Sequence, residues 1–350
     1  MDYNFSPVKD FEKLENAIVA LYGEQNKEAQ IARYRHLLDG FRQTFGEREC
    51  MAIFSAPGRT EIGGNHTDHQ HGKVLAGSVN LDIIAAVAPN NDNVIRIQSE
   101  GFHMNVVDLA DLSIHEDEID HSDGIVRGVA AKFAQLGCEV KGFDAYTTST
   151  VLKGSGLSSS AAYEVLLGNI INSMYFDVKC DPVQIAQIGQ YAENVYYGKP
   201  SGLLDQMASS VGAMVTVDFA DKAAPVVERV DFDFAATGHA LCIIDSGASH
   251  SDLTPEYAAV PGELKEICAH FGKNVLREVD EKEFYAALPE LRAKAGDRAV
   301  LRAIHIYSDN RRVEKQVAAL RAGDFETFLS CVKESGLSSW RCLQNVVPAG

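Results

Sequence analysis

The sequence predicts an α/β-type protein built as two domains, and three observations carry that reading. At 350 residues with 46% apolar content the chain can bury a large core, and a length of this size favours two domains over one. Segments with apolar residues at spacing two are interleaved with segments whose apolar residues recur at helical spacing. The third observation is a strand, a turn and a helix in direct succession. Phe143 to Val151 alternates β-branched and aromatic residues, Leu152-Lys153-Gly154-Ser155-Gly156-Leu157-Ser158-Ser159-Ser160 follows, and Val165, Leu166, Leu167, Ile170, Ile171 and Met174 then line one helical face.

That turn predicts phosphate binding. Glycines let the backbone approach a ligand closely, and the free N–H groups and dipole of a helix N-terminus favour an anion. A triphosphate fits the geometry. The alternative, a flexible Gly/Ser linker, is opposed by ordered elements on both sides. The turn is not a Walker A loop, because Lys153 precedes the glycines, and it is not a dinucleotide fingerprint, because the third glycine is missing.

Composition narrows the partners. The net charge is −17 and no basic run occurs, so neither nucleic acid nor an anionic membrane is an expected partner. The seven cysteines are scattered singly with no C-x-x-C pair, a pattern expected of reduced thiols in the cytoplasm. The N-terminus is charged and lacks an apolar signal core, and no run reaches membrane-spanning length. A soluble cytoplasmic protein is expected; its oligomeric state is not readable.

In chain order, residues 1–50 read as a helical extension without chemistry, with one stripe at Phe11, Leu14, Ile18 and Leu21 and another at Ile31, Tyr34, Leu38, Phe41 and Phe45. Met51 to Ala56 reads as a short strand stopped by Pro57-Gly58. The stretch Gly58-Arg59-Thr60-Glu61-Ile62-Gly63-Gly64-Asn65-His66-Thr67-Asp68-His69-Gln70-His71-Gly72 then reads as a loop dense in glycine, acid, amide and imidazole. Its three imidazoles with a nearby acid suit Zn²⁺ in kind, but His-x-x-His-x-His lacks a standard metal spacing. Vicinal sugar hydroxyls are better served, since carboxylate, amide and imidazole can each donate or accept.

Val74 to Val87 reads as one or two strands, Asn90 to Asn93 as a turn, and Val94 to Gln98 as the returning strand. Ile125 to Leu136 reads as a helix ended by Gly137. Asp181-Pro182 opens another, with the acid as cap and proline in the first turn, which carries Glu193 near its end at about Tyr197. After Gly198-Lys199-Pro200-Ser201-Gly202 comes Leu203-Leu204-Asp205-Gln206-Met207, where Asp205 reads equally as a helix cap or as a site carboxylate. Met214 to Phe219, Val226 to Phe234 and His239 to Asp245 read as strands, so a second domain is expected from residue 213. Ser249 to Tyr257 reads as a polar loop, and Glu283 to Lys294, Asp297 to Arg321 and Asp324 to Glu334 as helices.

Taken together, these stretches resemble the galactokinases of the GHMP kinase superfamily over about residues 50–345. Pro57-Gly58-Arg59 followed by His66-Thr67-Asp68 resembles the sugar-kinase signature P-G-R-x-N-L-I-G-E-H-T-D, and Gly154 to Ala161 resembles the family's phosphate loop. Asp205-Gln206 after Ser201-Gly202 resembles C-G-I-M-D-Q. Arg302, Ala303, His305, Asn310, Arg312 and Val313 resemble R-A-x-H-V-x-x-E-N-x-R-V. The resemblance implies an α+β, two-domain GHMP kinase. Residues 1–212 would form a domain like domain 2 of ribosomal protein S5, with the helical extension 1–50. Residues 213–350 would form a ferredoxin-like domain, expected to be incomplete because the family's glycine-rich third motif near the C-terminus is not found.

The same resemblance implies roles. Asp205 would accept the proton of the sugar's anomeric hydroxyl, and Arg59 would stabilise the transferring phosphoryl group. Gly154, Ser155, Gly156, Leu157, Ser158, Ser159 and Ser160 would cradle ATP, with Ser99 near the nucleotide. Ser160 and Glu193 would hold Mg²⁺. Asn65, His66, Asp68 and Tyr257 would line the sugar. The implied activity is ATP-dependent formation of galactose 1-phosphate.

The sequence departs from the family at Asn65, where the pattern has the Glu that contacts the C6 side of the sugar, while Glu61 takes the pattern's Asn position. Loss of a negative charge there admits a C6-modified sugar such as galacturonate; within kinases the alternative substrate is galacturonate or an N-acetylated hexosamine. A non-catalytic sugar and nucleotide sensor is the alternative from another class. A mevalonate- or homoserine-type kinase is disfavoured because His66-Thr67-Asp68 belongs to the sugar branch.

Overall fold

The computed structural model describes residues 11–49, 51–151, 156–242, 244 and 254–347. The chain divides into two compact units, residues 1–59 with 78–211, and residues 60–77 with 212–350. Two long strands, β1 (Ala52–Gly63) and β2 (Lys73–Pro89), contribute residues to each unit.

In the first unit, helices α1 (Phe11–Tyr22) and α2 (Lys27–Phe45) precede the strands, and β3 (Val94–Ser99), β4 (Met104–Asp108) and β5 (Phe143–Ser149) join the sheet. The order is β4-β3-β5-β2: β3 runs parallel to β5 and antiparallel to β4, and β2 pairs antiparallel with β5 from Ile83–Ser149 to Pro89–Phe143. Helices α3 (Ser122–Gln135), α4 (Ser159–Tyr175), α5 (Pro182–Tyr191) and α6 (Leu204–Val211) complete the unit. Along β2 the odd residues Ile83, Ala85 and Val87 pack with side chains of α3, α4 and α5, including Val129, Phe133 and Leu166. The even residues Ile84, Ala86 and Ala88 pack with Ile18, Tyr34, Leu37 and Phe41 of α1 and α2. This two-sided burial is why β2 reads as a near-continuous apolar run rather than an alternating one. The helical extension therefore covers a sheet face. Gly40 of α2 is required for the close approach, since a Cβ there would lie 2.3 Å from the Tyr146 ring.

In the second unit, Lys73–Gly77 of β2 pairs antiparallel with β6 (Met214–Asp218), which pairs with β7 (Val226–Arg229). The helices are α7 (Thr254–His270), α8 (Glu281–Ala286), α9 (Leu288–Arg321) and α10 (Phe325–Ser338). One apolar cluster joins Leu264, Ile267, Phe284 and Ile306, and another joins Leu75, Val313, Leu320 and Phe328. Gly296, with φ 85° and ψ 166°, breaks α9 where the sequence separates two helices.

Three local expectations are corrected, and one strand was not expected. Pro57-Gly58 does not stop β1, which runs on to Gly63; proline lacks only an N–H, and an edge strand can spare one. β4 was absent from the sequence reading because Met104–Asp108 is five residues long and only partly apolar. His239–Cys242 carries no strand, and Asp245 lies outside the described residues. The polar stretch 249–257 is helical from Thr254 onward, residues 249–253 lying outside the described residues. Among the described residues no helix is long and apolar enough to cross a membrane.

Candidate active site

The first unit gathers the groups expected to act on phosphate. β1 delivers Arg59 beside the turn that opens α4. The Arg59 N–H donates to the Leu157 carbonyl at 3.1 Å and Nη1 donates to the Gly156 carbonyl at 2.7 Å. A Cβ on Gly58 would lie 3.0 Å from the Leu157 carbonyl oxygen, so glycine lets strand and turn meet. The guanidinium then reaches α6: Nε donates to Asp205 Oδ1 at 2.7 Å and Nη2 lies 2.7 Å from Oδ2. Ser158, held at φ 54° just ahead of α4, donates its hydroxyl to Asp205 Oδ2 rather than capping its own helix. Asp205 sits inside the first turn of α6, and its carboxylate is spent on Arg59 and Ser158. Burial alone would raise its pKa, but the Arg59 hydrogen bond and charge, with Ser158 and Lys199, hold it below the usual carboxylate range.

Behind this pair lies a buried polar chain. Gln206 Nε2 donates to Glu164 Oε2 at 2.8 Å and to Glu193 Oε2 at 2.9 Å, and Lys199 Nζ donates to Glu193 Oε1 at 2.9 Å. Asp181 caps α5 through a reciprocal bond pair with Gln184, and the helix continues as a wider turn over Ala192–Tyr197 that places Glu193. Burial first, and the charge of Glu193 second, push the Glu164 carboxyl well above its ordinary range. Ser160 is exposed at the start of α4, whereas Glu193 is buried. One carboxylate and one hydroxyl are hard oxygen donors of the kind Mg²⁺ accepts while phosphate and water complete its shell. Ser99, at the end of β3, accepts from the Thr147 hydroxyl at 2.9 Å. Gly154 and Ser155 lie outside the described residues.

The second unit holds the groups expected to meet sugar. After β1 the chain turns at Gly64 (φ 92°) and His66 (φ 62°), and Asp68–Gln70 forms a single tight helical turn. The ring centroids of His66 and Tyr257 are 4.9 Å apart, and His69 Nε2 lies 3.1 Å from the Tyr257 hydroxyl. Asp68 stands next in the loop with its side chain 14% exposed. Burial, with smaller contributions from His69, His305 and Arg302, lowers the His66 pKa to about 4. Its Nδ1 is buried with no hydrogen-bond partner among the described residues. Asn65 turns inward, its Nδ2 donating to Ser339 Oγ at 2.9 Å. Among the described residues no group of three His, Cys, Asp or Glu side chains is placed to hold a metal ion. Burial first, and the charge of Lys222 second, lower the His71 pKa.

Sequence reasoning did not single out Glu164, Lys199, Gln206 as a bridge, Ser158 as a partner of Asp205, or Asp309. A signal existed only for Gln206, which adjoins Asp205, and for Asp309, which lies inside the Arg302–Val313 pattern.

Residues 39–89 match the galactokinase galactose-binding signature, and residues 124–213 match the GHMP kinases N-terminal domain. Galactokinase of Streptomyces coelicolor is 34% identical over 286 residues, covering 81% of this chain and 72% of that protein. The chain belongs to the galactokinase family. Galactokinase of Actinobacillus pleuropneumoniae serotype 5b is 33% identical over the same shares, 81% and 72%. The crystal structure of Lactococcus lactis galactokinase complexed with galactose matches with a TM-score of 0.73 at 25% identity, covering 89% of this chain and 80% of that one. The crystal structure of a D-glycero-D-manno-heptose 1-phosphate kinase matches at a TM-score of 0.55 and 14% identity, which shows a shared fold alone. The galactokinase-family chain is thus a mixed α+β protein and a sugar kinase.

Proposed function

We propose that this chain phosphorylates galactose at its anomeric hydroxyl with ATP, giving galactose 1-phosphate and ADP. The observation that carries the reading is the Arg59–Asp205–Ser158 constellation beside the N-terminus of α4. Asp205 takes the proton of the C1 hydroxyl as that oxygen bonds to the γ-phosphorus; the bond from the γ-phosphorus to the bridging β–γ oxygen breaks, and ADP leaves. A carboxylate held below the usual range is a weak base, but the anomeric hydroxyl is more acidic than an ordinary alcohol and becomes strongly acidic as the new bond forms. Arg59 carries its charge next to the turn, where the equatorial oxygens of the transferring group need it.

ATP phosphates would lie on the backbone N–H groups of residues 154–160, with Ser99 near the nucleotide. Glu193 and Ser160 would hold Mg²⁺, which supplies charge neutralisation on the phosphates when bound. Asn65, His66, Asp68 and Tyr257 would meet the sugar, the neutral His66 Nδ1 supplying an acceptor for a hydroxyl. Residues 1–212 and 213–350 are assigned as the N- and C-terminal GHMP kinase domains, of which residues 60–77 belong to the second compact unit. Cytoplasmic location accords with the cysteine pattern. An ADP-release assay over a panel of sugars tests the reading, with galactose expected to give the highest kcat/KM and no turnover of any hexose overturning it.

A further inference from the structure

We infer that Asp309 and Asn310, consecutive residues of α9, are positioning residues for sugar recognition, each fixing one end of the loop Gly64–Gly72. The inference rests on the reading of His66 and Asp68 as sugar-binding groups and adds the device that holds them.

Asp309 is fully buried. Its Oδ2 accepts the backbone N–H of Gly64 at 3.1 Å, the N–H of Asn65 at 2.9 Å and the Ser335 hydroxyl at 3.2 Å, while Oδ1 accepts Arg312 Nε at 2.7 Å. Two consecutive N–H groups can converge on one oxygen because Gly64 adopts φ 92°, and a Cβ at that position would lie 2.4 Å from the Lys73 carbonyl oxygen. His305, one turn earlier on α9, places Nε2 3.0 Å from the Asn65 carbonyl and Nδ1 2.8 Å from Ser338 Oγ. That fixes one neutral tautomer, with Nε2–H donating and Nδ1 accepting. Both backbone groups of Asn65 are thereby tied to α9, directly before His66.

At the other end, Asn310 Oδ1 accepts the Lys73 N–H at 2.8 Å. Thr67 Oγ1 lies 2.8 Å from the Gly64 carbonyl and 2.6 Å from the Lys73 carbonyl, so the loop is also closed across its own neck. The tip is held separately by Gln70, whose Oε1 accepts the Leu276 N–H at 3.0 Å. A loop that presents its side chains without strand or helix ladders needs such external fixation. A carboxylate accepting several N–H groups is the strong form of it, because charge-assisted bonds are roughly twice as strong as neutral ones. A misplacement of about 1 Å in a binding group is enough to cost on the order of 10²-fold in rate.

The test uses Asp309→Asn, Asp309→Glu and Asn310→Ala in the full chain. Amide hydrogen exchange at Gly64 and Asn65, measured without substrate, is expected to accelerate at least tenfold in Asp309→Asn relative to amides of α4. The galactose KM is expected to rise at least tenfold while the ATP KM stays within about twofold, and Asp309→Glu, which keeps the charge, is expected to recover part of the loss. If Asp309→Asn fails to fold, Asn310→Ala gives the same split with a smaller rise. Unchanged exchange and unchanged galactose KM in a folded variant overturn the inference, as does an equal rise in both KM values. Absence of galactose turnover by the unmutated chain would overturn the proposed function instead, and the exchange measurement would still decide the clamp.

Discussion

Arg59 engages both oxygens of Asp205, Nε to Oδ1 and Nη2 to Oδ2, each at 2.7 Å. This two-point pair fixes the plane of the carboxylate, and Ser158 adds a third bond. A helix cap would instead have spent the carboxylate on backbone N–H groups. Asp205→Asn keeps the side chain's shape but removes the charge that Arg59 pairs with, so it should lower the melting temperature modestly while leaving ATP affinity intact. Its kcat should fall by at least ~10²-fold, the low end of what general base catalysis contributes. Turnover near the original rate in the variant, measured by ADP release, would make Asp205 structural.

The two buried carboxyls joined by Gln206 should behave oppositely. The Glu164 pKa is raised by burial and by Glu193. Below the ordinary Glu range, where the carboxyl is protonated in both folded and unfolded chains, Glu164→Gln replaces one uncharged hydrogen-bonding group by another and should change stability by no more than about 1 kcal/mol. The sign follows from its raised pKa: the folded chain keeps a proton that the unfolded chain loses above the ordinary Glu value. Glu164 therefore opposes stability progressively as pH rises, and the variant should lose less stability than the unmutated chain between pH 5 and pH 8. Urea midpoints at the two pH values decide it; parallel shifts would mean that Glu164 is ionised.

Glu193→Gln should, by contrast, lower kcat/KM by at least ~10²-fold and raise the Mg²⁺ concentration needed for half activity, because a carboxylate ligand becomes an amide. Lys199 should matter less, since it contacts Glu193 on one oxygen from a position 57% exposed. EDTA should abolish turnover, with Mg²⁺ or Mn²⁺ restoring it. Full turnover in EDTA would remove both Glu193 and Ser160 from a metal role.

Much of this architecture was legible because it rests on local patterns. The alternation in Phe143–Ser149, the Asp181-Pro182 start and the glycine break at residue 296 are signals carried by neighbouring residues. Arg59 and Asp205 stood out as charges flanked by glycine and proline turns. What the sequence concealed is long-range pairing. Asp309 grips residues 244 and 245 positions away, and although it lies inside the Arg302–Val313 pattern, that pattern does not say that the acid is buried and binds backbone amides. Glu164 was hidden for the same reason, being an acid on an otherwise apolar helix whose partner lies 42 residues away.

Asn65 tests substrate choice. Its side-chain amide donates to Ser339, so it serves the loop's anchoring as well as standing where the family pattern has Glu. Galactose should remain the best sugar, with glucose worse by on the order of 10²-fold, because Asp68 is proposed to bond a hydroxyl near the C4 epimeric centre, and a site built that way rejects an epimer that misplaces it. Asn65→Glu should sharpen the preference for galactose over galacturonate by adding charge repulsion. A higher kcat/KM on galacturonate for the unmutated chain, reversed in Asn65→Glu, would establish the C6-acid reading instead.

His66 gives a pH test that needs no substrate. Its folded-state pKa is lowered to about 4, chiefly by burial, against an ordinary value of 6.5. Between those values the unfolded chain binds a proton that the folded chain refuses, so stability falls as pH drops through that window and is fully present above it. The shift corresponds to roughly 3 kcal/mol over the whole window, and to about 2 kcal/mol by pH 5. His66→Gln keeps a polar side chain but cannot titrate. Between pH 7 and pH 5 it should therefore lose about 2 kcal/mol less than the unmutated chain in urea unfolding. The remaining histidines and carboxylates titrate in both proteins, so the difference isolates this imidazole. Superimposable pH profiles would show that His66 stays solvated and protonates freely, and its Nδ1 would then be unfit as the neutral acceptor for a sugar hydroxyl.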